Sequence, residues 1–307
     1  VRRGAWAGVS LLEFINFYLI PGIVLGCIYA LAAVGVSLLF GILRFAHFAH
    51  GDLMTAGAYL GLLLVRGLGI APIAALPLAA AGAAILAVLI DRLAYRPFRE
   101  RQTIILVIAS FGVALMLRSL VQLFGGVDTV SYRAGIERPM ILFDSLRVAE
   151  RHLWVIGGTV LLIAALHLFL SRSRTGKAMR AMSDERDLAR IAGIGTERVV
   201  VWTWLIGGAL AGAAGVFLGM DTQLNPYMGW DLLLAVFAAA ILGGIGKPYG
   251  AILGGLVIGL AEELSTYPWL GGEALVPPDY KTAVAFAIMV GMLIWRPTGL
   301  MRGRLFA

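Results

Sequence analysis

Apolar runs of bilayer length recur along this chain, and no other feature restricts its folding so severely. Stretches near the ~20 residues that a helix needs to cross hydrocarbon fall at roughly 15–43, 46–65, 71–90, 104–124, 153–170, 200–220, 231–246, 249–265 and 280–296. Hydrophobic residues make up 60% of the chain and charged residues 14%. Soluble domains carry roughly 25% charged residues, so a soluble fold of this composition would expose large oily patches. Strand-type alternation is scarce, so helices rather than a barrel must satisfy the backbone in lipid. The reading is one polytopic all-α transmembrane bundle over residues 1–307, with about 8–10 spans. The first run is too long for a simple crossing, and Pro21 is expected to separate an interfacial piece from the span proper. Arg2 and Arg3 precede an apolar stretch far longer than the core of a cleavable leader.

The net charge of +7 does not point to nucleic acid, because the basic residues cluster in short segments between spans. Segment 91–101 holds Arg92, Arg96, Arg99 and Arg101. Segment 171–199 holds Arg172, Arg174, Lys177, Arg180, Arg186, Arg190 and Arg198, and the tail holds Arg296, Arg302 and Arg304. Segments 221–230 and 266–279 have no Lys or Arg, and the longer loop 125–152 balances its arginines with acids. By the bias of Lys and Arg toward the cytoplasm, the three basic segments are cytoplasmic and 125–152 is external. The N-terminus then falls outside, which Arg2 and Arg3 oppose; one crossing more or fewer near residues 11–70 would remove the conflict. The single Cys27 excludes an intrachain disulfide.

Glycines recur at i,i+4 spacing: Gly22/Gly26, Gly57/Gly61, Gly208/Gly212, Gly215/Gly219 and the ladder Gly246/Gly250/Gly254. Such spacing lets helix backbones approach closely where oil against oil gives no driving force. A faint internal echo links Gly51-Asp52-Leu53 with Trp230-Asp231-Leu232, as repeats in transporters would.

Ionisable groups inside apolar runs usually line a path or hold a partner. His47, His50 and Asp52 interrupt the run 22–65, and Asp231 opens a later one; these four are the candidate solute path. The two histidines are three apart, but without a further ligand a metal pair is a weak reading beside a polar lining. Glu262 and Glu263, like Asp231, are candidates for a polar lining or a helix-to-helix hydrogen-bond network, with the alternative that each lies near an expected span end and meets water. Arg118 and Gln122, one turn apart, mark an interfacial end. Within 171–199, Ser183 or Asp184 caps a short helix that Gly193 ends. Leu188, Ile191 and Ala192 form one face of it, with Arg186 and Arg190 on another. Pattern alone leaves this segment either a solvated connector or a helix that docks into a groove of a soluble partner.

No phosphate-cradling loop exists: Gly246-Lys247 and Gly176-Lys177 lack the upstream glycine and the following hydroxyl. Dinucleotide, zinc-protease and serine-hydrolase motifs are also missing. The chain is therefore not expected to be an enzyme, and energy for transport would come from a partner or an ion gradient.

Several of these segments together resemble a known family. Tyr29-Ala30-Leu31, Phe40-Gly41-Ile42 and Phe48-Ala49-His50-Gly51-Asp52 are followed by Tyr95-Arg96-Pro97 and Ser110-Phe111-Gly112-Val113. Then come Arg174-Thr175-Gly176-Lys177-Ala178-Met179-Arg180-Ala181, Ala189-Arg190-Ile191-Ala192-Gly193-Ile194 and Ile206-Gly207-Gly208-Ala209-Leu210-Ala211-Gly212. Leu242-Gly243-Gly244-Ile245-Gly246 and Arg296-Pro297-Thr298-Gly299-Leu300 complete the order. The set resembles the permeases of branched-chain amino acid ABC importers, LivH type, over nearly the whole chain. His47 stands where that family usually has Asn.

The resemblance implies a multi-pass subunit of the bacterial inner membrane that moves leucine, isoleucine and valine. It implies a second, related permease, two cytoplasmic ATPases that hold the ATP and Mg, and a periplasmic binding protein, with no cofactor in this chain. Asp187-Leu188-Ala189-x-x-x-Gly193 is similar to a degenerate Glu-Ala-Ala-x-x-x-Gly coupling loop. On that footing Arg180, Asp187, Leu188, Ala189, Arg190 and Gly193 become the expected contacts to an ATPase. Relatives that carry urea or short amides are not separated from amino acid carriers by these motifs. A stand-alone secondary transporter predicts a more evident pair of broken helices, and an intramembrane enzyme lacks a visible catalytic constellation.

Overall fold

A computed structural model describes residues 11–132, 140–142, 146–269 and 274–301. The helices follow in order: α1 (Leu11–Phe14), α2 (Ile20–Leu43), α3 (His50–Leu68), α4 (Pro72–Ile90), α5 (Thr103–Gly125), α6 (Glu150–Arg172), α7 (Arg174–Asp184), α8 (Arg186–Ile191), α9 (Thr196–Asp221), α10 (Met228–Gly243), α11 (Pro248–Ser265) and α12 (Thr282–Trp295). A short antiparallel hairpin, β1 (Met140–Leu142) with β2 (Leu146–Val148), lies between α5 and α6. Residues 133–139 and 143–145 of the expected external loop, the paired arginines near the N-terminus, and Arg302 and Arg304 lie outside the described residues.

Among the described residues, five helical stretches are long and apolar enough to cross a membrane: Leu11–Leu43, Pro72–Phe98, Thr103–Gly125, Glu150–Arg172 and Thr196–Asp221. Met228–Gly243 is apolar but shorter. Helices α3, α11 and α12 also coincide with expected apolar runs. Pro21 does not divide the first run. A π-turn at Ile15–Leu19 joins α1 to α2, and Pro21 sits in the first turn of α2, where a missing N–H costs least. The path from Leu11 to Leu43 is therefore one helix, and it adds no second crossing there.

Helix α2 is the axis of the bundle, with 18 of its 24 residues buried. Apolarity all round such a helix requires neighbours on every side. In α12 only Ala285 is buried, and α6 buries four residues, so their apolar faces meet lipid or another chain. Glycines set the close approaches. A Cβ at Gly259 would lie 2.3 Å from the Gly26 nitrogen, and one at Gly255 2.4 Å from the Ala30 nitrogen, joining α11 to α2. Gly208 and Gly212 admit Ala87 and Ala83 of α4 in the same way, and Gly250 and Gly254 admit Gly243 and Ala239 of α10. Gly246 departs from the expected ladder. It lies in the turn between α10 and α11 at φ +79°, a conformation that favours glycine, so its role is the turn.

The bundle has two distinct ends. At one, the α10–α11 turn meets α7 through Lys247 and Asp184 (3.5 Å). Leu300 and Met301 hydrogen-bond Leu242 and Gly243, and Arg99 bridges Asp91 to Glu197. At the other, Val130 and Leu224 exchange backbone hydrogen bonds of 2.9 and 2.7 Å. There His152 contacts Asp221 at 3.2 Å, and Tyr132 donates to the Ala58 carbonyl at 2.7 Å. Segments 91–101 and 171–199 and the described part of the tail, to Met301, gather at the first end.

Candidate functional site: a re-entrant segment and an exposed basic helix

After α2 the chain turns back into the bundle instead of leaving it. Arg44 adopts a left-handed conformation at φ 58°, and Phe45, His47 and Ala49 beyond it are buried. The His50 ring then occupies the space of a Cβ at Gly35, its Cε1 and Nε2 lying 2.8 and 2.9 Å from that position. Gly35 precedes the end of α2 by eight residues, about 12 Å of helix. Helix α3 therefore starts inside the bundle, and residues 44–49 are non-helical backbone at depth.

Such backbone is tolerated only where protein supplies its hydrogen bonds. The Phe48 N–H donates to Ser110 Oγ of α5 at 3.2 Å, and Ser110 in turn donates to the Val107 carbonyl at 2.7 Å. His47 Nε2 meets the Tyr95 hydroxyl at 3.0 Å, and Tyr95 stacks on Trp204 at 5.3 Å. Ser110→Ala is expected to lower stability by about 1–3 kcal/mol, because it orphans the buried Phe48 donor. Thermal unfolding in detergent measures this, and an unchanged midpoint would show that Phe48 has another partner. The His47 and His50 rings are 5.9 Å apart, and among the described residues no three His, Cys, Asp or Glu side chains gather to hold a metal.

Asp52 is fully buried in the first turn of α3. Its partner is Arg118, whose Nε and a terminal nitrogen lie 2.9 and 3.2 Å from the two carboxylate oxygens. Arg118 thus does not mark an interfacial end as its spacing from Gln122 suggested; it grips α3 from α5. Its guanidinium also lies over Trp230 at 4.7 Å and Tyr227 at 5.1 Å, and Gln122 donates to the Tyr227 hydroxyl at 3.3 Å. Asp231 is exposed in the first turn of α10, within electrostatic reach of Arg118.

The starts of α3 and α10 touch. A Cβ at Gly229 would sit 1.9 Å from the Gly51 carbonyl oxygen, and the Gly229 N–H donates to Thr55 Oγ1 at 3.1 Å. The weak sequence echo therefore corresponds to two helix beginnings in contact, each with an aspartate in its first turn, where the helix dipole favours negative charge. Of the two readings for Glu262, the structure shows the helix-to-helix contact and not the wet span end: it is fully buried and accepts a 2.8 Å hydrogen bond from Tyr29 of α2. Glu263 pairs with Lys281.

At the basic end, segment 171–199 folds as two helices where the sequence suggested one. Ser173 caps α7 by accepting from the Gly176 N–H at 2.8 Å, and Met179 and Met182 anchor it in the core. Glu185 is extended at φ −150°, which breaks the helix before α8, and Gly193 follows at φ +82°. Ala189 is the buried residue of α8. Leu188 and Ile191 are 64% and 84% exposed, and Asp187, Arg190 and Arg180 are exposed beside them. An outward apolar pair among charges is the reverse of an ordinary solvated helix.

Arg186 of α8 lines a small pocket with Phe45, Asp91, Tyr95 and Arg99. The exposed helix is thereby one side chain away from Tyr95, which holds His47 of the re-entrant segment. Sequence reasoning singled out Asp52 and His47 but missed Arg118 and Tyr95 as their partners, and Ser110 as the partner of Phe48. An arginine in the middle of an apolar run was the signal available for the first.

Comparison with known proteins places this geometry in a family. The family described as "Branched-chain amino acid transport system / permease component" matches residues 18–293. The chain is 34% identical to the high-affinity branched-chain amino acid transport system permease protein LivH of Salmonella typhimurium, covering 91% of this chain and 93% of that protein. Its identity to BraD of Pseudomonas aeruginosa is 32%, over 92% and 94% of the two chains. Similarity extends to LivM of Escherichia coli K12, at 24% identity over 89% of this chain and 68% of LivM. A solved structure titled "An inward-facing conformation of a putative metal-chelate type ABC transporter" shares the fold, with a TM-score of 0.52 at 14% identity over 95% and 92% of the chains. The chain is a multi-pass membrane protein and belongs to the family of branched-chain amino acid transport system permease components.

Proposed function

We propose that this chain is one permease subunit of an ATP-binding cassette importer, translocating branched-chain amino acids across a bacterial inner membrane. A second, related permease is its partner. Two cytoplasmic ATPases holding ATP and Mg, and a periplasmic binding protein, complete the assembly. Similarity to both LivH and LivM supports a paired arrangement. The observation that carries the reading is the family match across residues 18–293 in a chain whose α8 turns Leu188 and Ile191 outward at the arginine-rich end. By the Lys and Arg bias, that end is cytoplasmic.

In this mechanism, closure of the ATPases loads α8, and Arg186 passes the displacement to the pocket shared by Asp91, Tyr95 and Arg99. Tyr95 carries it to His47 and so to the start of α3, which opens the bundle to one side or the other. Affinity resides chiefly in the binding protein, since a tight site in the path would slow release.

Reconstitution in proteoliposomes with the candidate ATPases, partner permease and binding protein tests the reading. ATP-dependent uptake of labelled leucine is expected. Uptake of urea or a short amide in its place would reassign the solute. Leucine uptake driven by an ion gradient without ATPases would identify a secondary transporter instead.

A further inference from the structure

Asp231 is an exposed charge in the first turn of α10, and within its electrostatic reach the Arg118 side chain of α5, 12% exposed, comes up to the same face. Charges in spanning segments do not face lipid, so this face is covered by protein or wet. Beside them runs a continuous aromatic row. Phe48 stacks on Phe111 at 4.2 Å and lies 5.2 Å from Phe237. Phe111 meets Trp230 at 6.2 Å, and Trp230 lies under the Arg118 guanidinium. Both signs of charge and an apolar bed thus share one patch.

We propose that this face of α3, α5 and α10 is the solute contact and that it recognises a zwitterionic aliphatic amino acid. The Arg118 fork takes the α-carboxylate, which bidentate geometry suits. Asp52 holds that fork when no solute is present; displaced, it receives the α-ammonium together with Asp231. The hydrocarbon side chain lies on the aromatic row. A neutral urea or amide has no charge to exchange with the Asp52–Arg118 pair, so the patch favours amino acids within the family. This inference rests on the importer reading above and adds the solute's chemistry to it.

The complete reconstituted transporter tests it. Arg118→Gln is expected to cut ATP-driven leucine uptake at least tenfold. The double variant Asp52→Asn with Arg118→Gln removes both charges without leaving either unpaired, so a purely structural pair would be relieved and uptake restored. Uptake that stays low in the assembled double variant is expected, whereas wild-type uptake in it would overturn the proposal. Independently of folding in those variants, Phe111→Cys in the otherwise unaltered transporter reports occupancy. Leucine, but not urea, is expected to slow its thiol labelling at least threefold, and equal rates with and without leucine would overturn the proposal. Failure of the unmodified transporter to move leucine with ATP would instead remove the importer reading itself.

Discussion

Replacing Leu188 and Arg190 together with serine is expected to reduce ATP-driven uptake more than tenfold while the permease still folds and inserts. Leu188 is 64% exposed and Arg190 is exposed in the last turn of α8. Surface substitutions away from buried contacts change stability by about 0.5 kcal/mol or less, so the permease's own fold loses little. A docked helix, by contrast, concentrates its binding energy in a few anchors. Loss of about 1.4 kcal/mol there is a factor of ten in the docked population. Ala189 would be a poor choice for this experiment because it is buried and its replacement would disturb packing. Binding-protein-stimulated ATP hydrolysis is the readout beside uptake. Stimulation at the wild-type level in the double variant would mean that the ATPases engage another surface.

The second large effect is expected at the contact between the two helix beginnings. Gly229→Val forces side-chain atoms into the Gly51 carbonyl, which lies 1.9 Å from the position of a Cβ. Neither backbone can yield cheaply, since α3 is held by the Asp52–Arg118 pair and α10 by Thr55. Overpacking costs about 1–3 kcal/mol, and separating the helices forfeits the Gly229–Thr55 hydrogen bond, about 1 kcal/mol more. The thermal midpoint should fall by several degrees, and uptake with it. Gly112→Ala in α5, where a Cβ would meet nothing within 4 Å, serves as the control. It is expected to be neutral or slightly stabilising, as alanine favours helix over glycine. Equal midpoints for the two variants would show that the α3–α10 contact is not tight.

The helical bundle was legible because bilayer-length apolar runs leave the backbone few alternatives. The order of helices and most glycine contacts followed from the same pattern. Depth was not legible. Arg44 and His47 mark a break between two apolar runs, but hydropathy does not reveal that the chain turns inward there and starts α3 beside Gly35. Partnership was hidden for a related reason: Arg118 and Asp52 are 66 positions apart, and only the fold brings them together. Glu262 lies near a span end, where water was one of two readings, yet it is buried and takes a hydrogen bond from Tyr29 on the adjoining α2. The pair of helices in segment 171–199 eluded pattern reading because Glu185, a fair helix former, is the residue that breaks them. What the sequence did show there, an apolar pair among arginines, is the feature on which the functional reading turns.

The most direct measurement concerns which side of the membrane that feature faces. With Ile191, 84% exposed, replaced by cysteine, a membrane-impermeant thiol reagent distinguishes the two sides, the native Cys27 being buried. Strong labelling in inside-out vesicles, with protection in cells whose outer membrane has been permeabilised, is the predicted result. Labelling from the periplasmic side would leave the ATPases nothing to engage on α8 and would contradict the account.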